Sequence, residues 1–193
     1  MIGRFCVKRA GRILFVAALV LVLSAALAAA AEFSAEMVMK GPDGQAMNGK
    51  VFVKGQKIRQ EMQQDGETVV TILRVDRRLS WILMVDEKAY LEMKMRESSE
   101  DPSLVEKTDP AKVRRLGKET VNGFLCEKVQ VTDNGTVVTQ WISEELAWPI
   151  KGEVKSPKGI SSHEYRNIRK GGVSDSLFEI PPGFQKMAVP GMQ

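Results

Sequence analysis

The sequence predicts an all-β protein with minor helices, an antiparallel sheet of about eleven strands. Three observations predict it. Short runs rich in β-branched, aromatic and long apolar residues recur along the chain. The segments between most of them are far shorter than the dozen or so residues a parallel crossover needs. Several also carry turn chemistry, as in Gly41-Pro42-Asp43-Gly44, Gly55-Gln56, Asp65-Gly66 and Asn134-Gly135.

The stretch Thr68–Met95 organises the first half. Val69–Val75, Ser80–Val85 and Ala89–Met95 read as strands, joined by the charged turns Asp76-Arg77-Arg78 and Asp86-Glu87-Lys88. Pairing Val75 with Ser80 and Val85 with Tyr90 gives connections of even length, which decide the shared faces. One face then collects Val69, Thr71, Leu73, Val75, Ile82, Met84, Leu91, Met93 and Met95. The other is mixed, with Ile72, Arg74, Trp81, Leu83, Tyr90, Glu92 and Lys94. Upstream, Phe33–Lys40, Ala46–Lys54 and Lys57–Gln63 complete a six-stranded meander. The same register adds Ile58, Met62, Val51 and Val53 to the apolar face and sends Lys57, Arg59, Glu61 and Gln63 to the wet one. Gly49 reads as a candidate bulge, which leaves the faces of Met37 and Met39 open. The candidate lining of a hydrophobic cavity is therefore Ile58, Met62, Leu73, Ile82, Met84, Leu91, Met93 and Met95.

Glu97–Ala111 breaks the strand pattern. Asp101-Pro102 and Asp109-Pro110 each place an Asp cap before a Pro, which predicts short helices at Pro102–Lys107 and Pro110–Leu116, candidates for a lid. Strands resume at Lys118–Val121, Phe124–Thr132, Thr136–Ser143, Pro149–Lys155 and Ile160–Arg169. Ser174 caps one further helical turn before an extended, proline-bearing tail.

The N-terminus reads as a secretory signal. Met1–Arg12 is basic, Ile13–Leu27 apolar, and Ala28–Ala31 a run of small residues, so residues 1–31 form the leader and 32–193 a single domain. An uncleaved anchor is the competing reading, since about 20 apolar residues cross a bilayer. Export to the periplasm follows. Setting aside the four basic leader residues from the 28 Lys and Arg leaves 24, against 24 acidic residues, so the +4 formal charge belongs to the leader. A balanced chain lacks the electrostatic footprint of nucleic-acid binding. Beyond the leader Cys126 stands alone, which excludes an internal disulfide and reads as a buried strand residue.

Catalytic signatures do not emerge. There is one histidine, His163, read as a surface residue of a polar strand segment. No G-x-S-x-G, H-E-x-x-H, C-x-x-C or P-loop occurs, so the chain reads as non-enzymatic and without a cofactor. Met37-x-Met39 and Met93-x-Met95 raise Cu(I) binding as an alternative, because soft thioethers suit that ion. No His or Cys stands beside either pair in the sequence, so flexible filling of an apolar surface is the favoured explanation.

The segments ILRVDRRLSWILMVDEKAYLEMKM, LGKETVNGFLCEKVQVTD, WISEELAWPIKGEV and SDSLFEIPPGFQKM resemble the exported bacterial family called domain of unknown function 4412. The resemblance runs from about Phe33 to Met187. That family is similar in turn to the outer-membrane lipoprotein-sorting proteins of the LolA/LolB type. The resemblance implies a curved antiparallel half-barrel with an apolar concave face and a helical lid. It implies a carrier for the acyl chains of lipid or lipoprotein, monomeric, working beside an envelope membrane protein. Two departures stand out: the chain runs into its first strand at Phe33 without the N-terminal helix of the lipoprotein carriers, and only Arg74 loosely matches their functional arginine. An envelope protein-interaction module with a filled interior is the alternative.

Overall fold

The computed structural model describes residues 31–64, 66–95, 113–133 and 135–187. Residues 1–30 of the leader, the segment Pro102–Lys107 and the start of Pro110–Leu116 lie outside the described residues. Twelve strands form one sheet in the order β12-β6-β5-β4-β3-β2-β1-β11-β10-β9-β8-β7. These are β1 (Glu32–Lys40), β2 (Ala46–Lys54), β3 (Lys57–Gln64), β4 (Glu67–Arg74), β5 (Leu79–Met84), β6 (Ala89–Lys94), β7 (Val113–Val121), β8 (Phe124–Asp133), β9 (Thr136–Ser143), β10 (Trp148–Ser156), β11 (Gly159–Lys170) and β12 (Gln185–Lys186). The sheet is curved and open, with its two end strands unjoined. Every neighbouring pair is antiparallel except β12 with β6.

Local sequence explains the meander. In β1, Phe33, Ala35, Met37 and Met39 are buried while Glu36 and Lys40 are exposed, the period of two expected for a strand with one covered face. After β4 a 3-10 turn at Val75–Arg77 ends on Arg78 in the left-handed region, and Arg74 pairs with Leu79. After β5, Lys88 takes the same conformation and Met84 pairs with Ala89. The observed pairs sit one residue earlier on each strand than expected. Both connections keep an even length, so every side chain within the strands remains on its expected face, while Val75, expected on the apolar one, falls in the turn. Gly49 is not a bulge: β1 and β2 pair without interruption from Glu32↔Lys54 to Lys40↔Ala46. Its lack of a side chain serves packing instead, because a Cβ there would lie 2.9 Å from the Met62 Sδ and 2.3 Å from the Glu61 carbonyl oxygen.

Two cores flank the sheet. The larger joins Phe33, Met37, Val51, Val53, Ile58 and Tyr165 with residues of β8, β9 and β10. The smaller lies under β4 and β5 on the opposite face, where Val70, Ile72, Trp81 and Leu83 pack against Val173 and Phe178. The face read as merely mixed is thus a second core, covered by the C-terminal tail. Ser174 caps a 3-10 turn at Asp175–Phe178, accepting from the Ser176 N–H, as the sequence predicts. The tail then adds β12 beside β6 through Gln185 N–H to Lys88 O and Met187 N–H to Tyr90 O, both 2.8 Å.

One helix expectation fails in its described part. Val113–Leu116, assigned to the helix after Asp109-Pro110, is strand, the first half of β7, paired with β8 from Val113↔Val131 onward. A bulge between Arg115 and Gly117 accommodates the left-handed Gly117. Ladder pairing along β8 outweighs the local Asp-Pro signal.

Candidate functional site: an apolar face without buried charge

Strand register places the expected lining residues together. Ile58 pairs with Leu73, Met62 with Val69, Val69 with Met84, Ile82 with Leu91, and Ser80 with Met93, so all share one face. Met95 packs against the same apolar cluster. Arg59, Glu61, Glu92 and Lys94 occupy the opposite face, as expected. The lining is graded. Ile58, Met62 and Leu73 belong to the packed core, and Ile82 is equally buried. Met84, Leu91, Met93 and Met95 are only half-buried, as are Val69 and Thr71 beside them. The inner face is therefore dense around β1, β2 and β11 and loosens toward β4, β5 and β6.

Buried charge is missing from it among the described residues. Among the described residues the one buried charged side chain is Arg74, and it lies on the opposite face. There its guanidinium bonds Asp76 (2.7 and 2.9 Å), Glu179 (2.5 Å) and the Phe178 carbonyl (3.3 Å). Hydrogen bonding to Asp76, then to Glu179, raises its pKa further. Arg74 thus anchors the tail on the outer face and does not reach the apolar one. Lys54 and Lys57 hold the same tail through Asp175, whose carboxyl they bring down to about 2.

Polar groups are also buried on the inner face, and they are neutral. Tyr165 pairs with Met37 and His163 with Met39, and their rings stand 5.5 Å apart. Gln60 lies between Val51 and Thr71, and Gln140 pairs with Gly152, which pairs with His163. His163 is 3% exposed, not a surface residue. Gly152 makes this possible, since a Cβ there would lie 2.3 Å from the imidazole Cε1. Burial lowers the imidazole pKa to about 4 and raises that of the Tyr165 phenol, a rise the nearby Trp148 indole partly opposes. The His163 Nδ1, Tyr165 hydroxyl and Gln60 Nε2 are buried without a hydrogen-bond partner. Sequence reasoning missed this set, because the alternation in GISSHEYRNIRK does not tell which face the sheet covers.

Met37 and Met39 both face inward, and His163 stands directly across from Met39. The imidazole missing beside these thioethers in the sequence is thus supplied by the fold. Among the described residues no group of three or more His, Cys, Asp or Glu gathers as a metal site. Cys126 is fully buried, as expected, and desolvation pushes its thiol pKa up, away from the reactive thiolate.

An open, curved antiparallel sheet with an apolar inner face defines a protein of the LolA-like fold. The chain belongs to the family described as Domain of unknown function (DUF4412), whose family model matches residues 33–148. β11 and the tail lie beyond that match. The sheet is similar to an uncharacterized conserved protein from Thermus thermophilus, with a TM-score of 0.60 and 10% identity over 93% of this chain and 99% of that one. It is also similar to MucB of Pseudomonas aeruginosa, solved in complex with MucA, with a TM-score of 0.52 and 16% identity over 80% of this chain. This chain spans 57% of MucB in that comparison. A second structure, MucB in complex with MucA(peri), gives 0.55 at 16% identity over 86% of this chain and 60% of that one. These likenesses show the fold. No curated protein matches the sequence.

Proposed function

We propose that the protein is an exported, non-enzymatic carrier that holds acyl chains of lipid or lipoprotein against its inner face in the periplasm. One observation carries the reading: a continuous apolar face, free of buried charge among the described residues, passes from packed core to half-buried side chains at Met84, Leu91 and Met93. Burying apolar area there gains roughly 25 cal/mol per Å² without desolvating an ion. The separation of the two regions also fits an acyl chain. From β11 to β5 there are five inter-strand steps, which at about 4.8 Å each give ~24 Å along the sheet. The residues 1–31 serve as the export leader of a single domain.

Titration with a fluorescent fatty acid tests this. Wild-type protein should bind saturably, and Met84→Glu should lose binding while keeping its fold, because a carboxylate must be desolvated or protonated to stay at that wall. A wild type that binds no probe would favour a module that recognises a protein partner through a filled core. A Cu(I) site keeps one supporting observation, the Met47–Met39–His163 row across β2, β1 and β11. Stoichiometric Ag(I) binding lost in Met39→Leu would carry that reading.

A further inference from the structure

We propose that Met47, Met84, Met93 and Met95 make the inner face an oxidant-sensitive site, where hydrogen peroxide converts thioether to sulfoxide and so ends its hold on acyl chains. The inference rests on the acyl-binding reading and deepens it by naming how that site is regulated.

Two observations carry it. The first is where the sulfur lies. The sequence holds ten methionines, one of them the leader's Met1 and another, Met192, outside the described residues. Of the rest only Met187, on the exposed tail, stands away from the inner face. Met37, Met39 and Met62 are sealed in the packed region. Met47 pairs with Met39, Met84 with Val69, Met93 with Ser80, and Met95 packs against the same cluster. These four are half-buried, so a molecule as small as hydrogen peroxide meets them from solvent without needing a cavity.

The second observation is a contrast along the same face. Val113, Val131, Val138 and Val154 pair in one row across β7, β8, β9 and β10, in register with Ser161, two residues before His163. They are half-buried as well and carry nothing that peroxide oxidises. Among the described residues, reachable sulfur on this face is therefore confined to the wall of β2, β5, β6 and the adjoining Met95. The thiol does not compete, because Cys126 is fully buried and desolvation disfavours its thiolate.

The chemistry balances. A thioether lone pair attacks one peroxide oxygen, an S–O bond forms as the O–O bond breaks, and the other oxygen leaves as water. Sulfur gives up two electrons and peroxide takes them. The product is a polar, chiral group in place of a flexible apolar one. Its oxygen accepts hydrogen bonds, yet the neighbouring side chains of Val69, Ile82 and Leu91 are apolar. An acyl chain laid over the sulfoxide would bury that oxygen unpaired, which is unfavourable.

The test treats wild type with hydrogen peroxide at neutral pH, maps sulfoxides by peptide mass spectrometry, and measures affinity for the fluorescent fatty acid before and after. Met47, Met84, Met93 and Met95 should oxidise together with Met187, ahead of Met37, Met39 and Met62. Affinity should fall at least ~10-fold with the circular dichroism unchanged, and methionine sulfoxide reductases should restore it. Met187→Leu should lose affinity on treatment as wild type does. A variant combining Met47→Leu, Met84→Leu, Met93→Leu and Met95→Leu should change less than ~2-fold on treatment, whatever its starting affinity. The wild-type comparison needs no variant to fold. Sulfoxides at the four positions with affinity unchanged would overturn the proposal, as would oxidation confined to Met187 or binding lost only through unfolding. Untreated wild type that binds no fatty acid would overturn the acyl-binding reading, and the proposal with it.

Discussion

Acidification between pH 7.5 and 5 should destabilise this protein through one side chain. His163 is the only histidine in the sequence, and burial lowers its pKa from 6.5 to about 4. Between those values the unfolded chain binds a proton that the folded chain does not. The stability contributed by the neutral imidazole is therefore complete above about pH 6.5 and declines as pH falls toward 4. At about 1.36 kcal/mol per pKa unit the whole difference is roughly 3 kcal/mol, of which about 2 is lost by pH 5. The surroundings add nothing in this window, since His163 faces Met39, Gly152 and Tyr165. The paired carboxylates of Asp76, Asp175 and Glu164 are held below their ordinary range by cationic partners, so their contributions fade only at lower pH. Urea unfolding at several pH values, for wild type and His163→Leu, reads the effect directly. Wild type should lose about 2 kcal/mol across the window and the variant almost none. Equal slopes in the two proteins would refute the argument.

The graded face makes a paired prediction. Met37→Ala, in the packed region, should cost about 2–5 kcal/mol in urea melts, whereas Met93→Ala at the half-buried wall should cost clearly less. Gly49→Ala should be destabilising by about 1–3 kcal/mol, because its Cβ meets the Glu61 backbone oxygen, and a strand cannot yield as a side chain can. Phe178→Ala should cost about 3–5 kcal/mol and red-shift Trp81 fluorescence as the tail releases the second core. Asp175 is held to about 2 by Lys54 and Lys57, so its part in docking the tail is present above about pH 4 and lost as pH falls through 2.

Much of the fold was legible because the meander is local. Even connection length put Leu73, Ile82 and Met93 on one face although the pairs themselves sit a residue away from the expected ones, a tolerance that follows from a side-chain period of two. His163 was not legible. Its burial depends on Gly152 and Met39, which come from other strands and leave no trace in the flanking residues. The second core was half visible. Ile72, Trp81, Leu83 and Tyr90 needed a cover, but Val173, Leu177, Phe178, Ile180 and Phe184 follow no helical or strand period around two prolines. Arg74 illustrates the limit of carrying a residue over by resemblance, since tertiary contacts with Glu179 decide its role.

The central claim is that the inner face carries acyl chains, and lipid extraction with mass spectrometry of protein purified from its native envelope tests it most directly. The account predicts an acyl-bearing species near one per protein in wild type and its loss in Met84→Glu. Folded wild-type protein that yields no acyl-bearing species would contradict it.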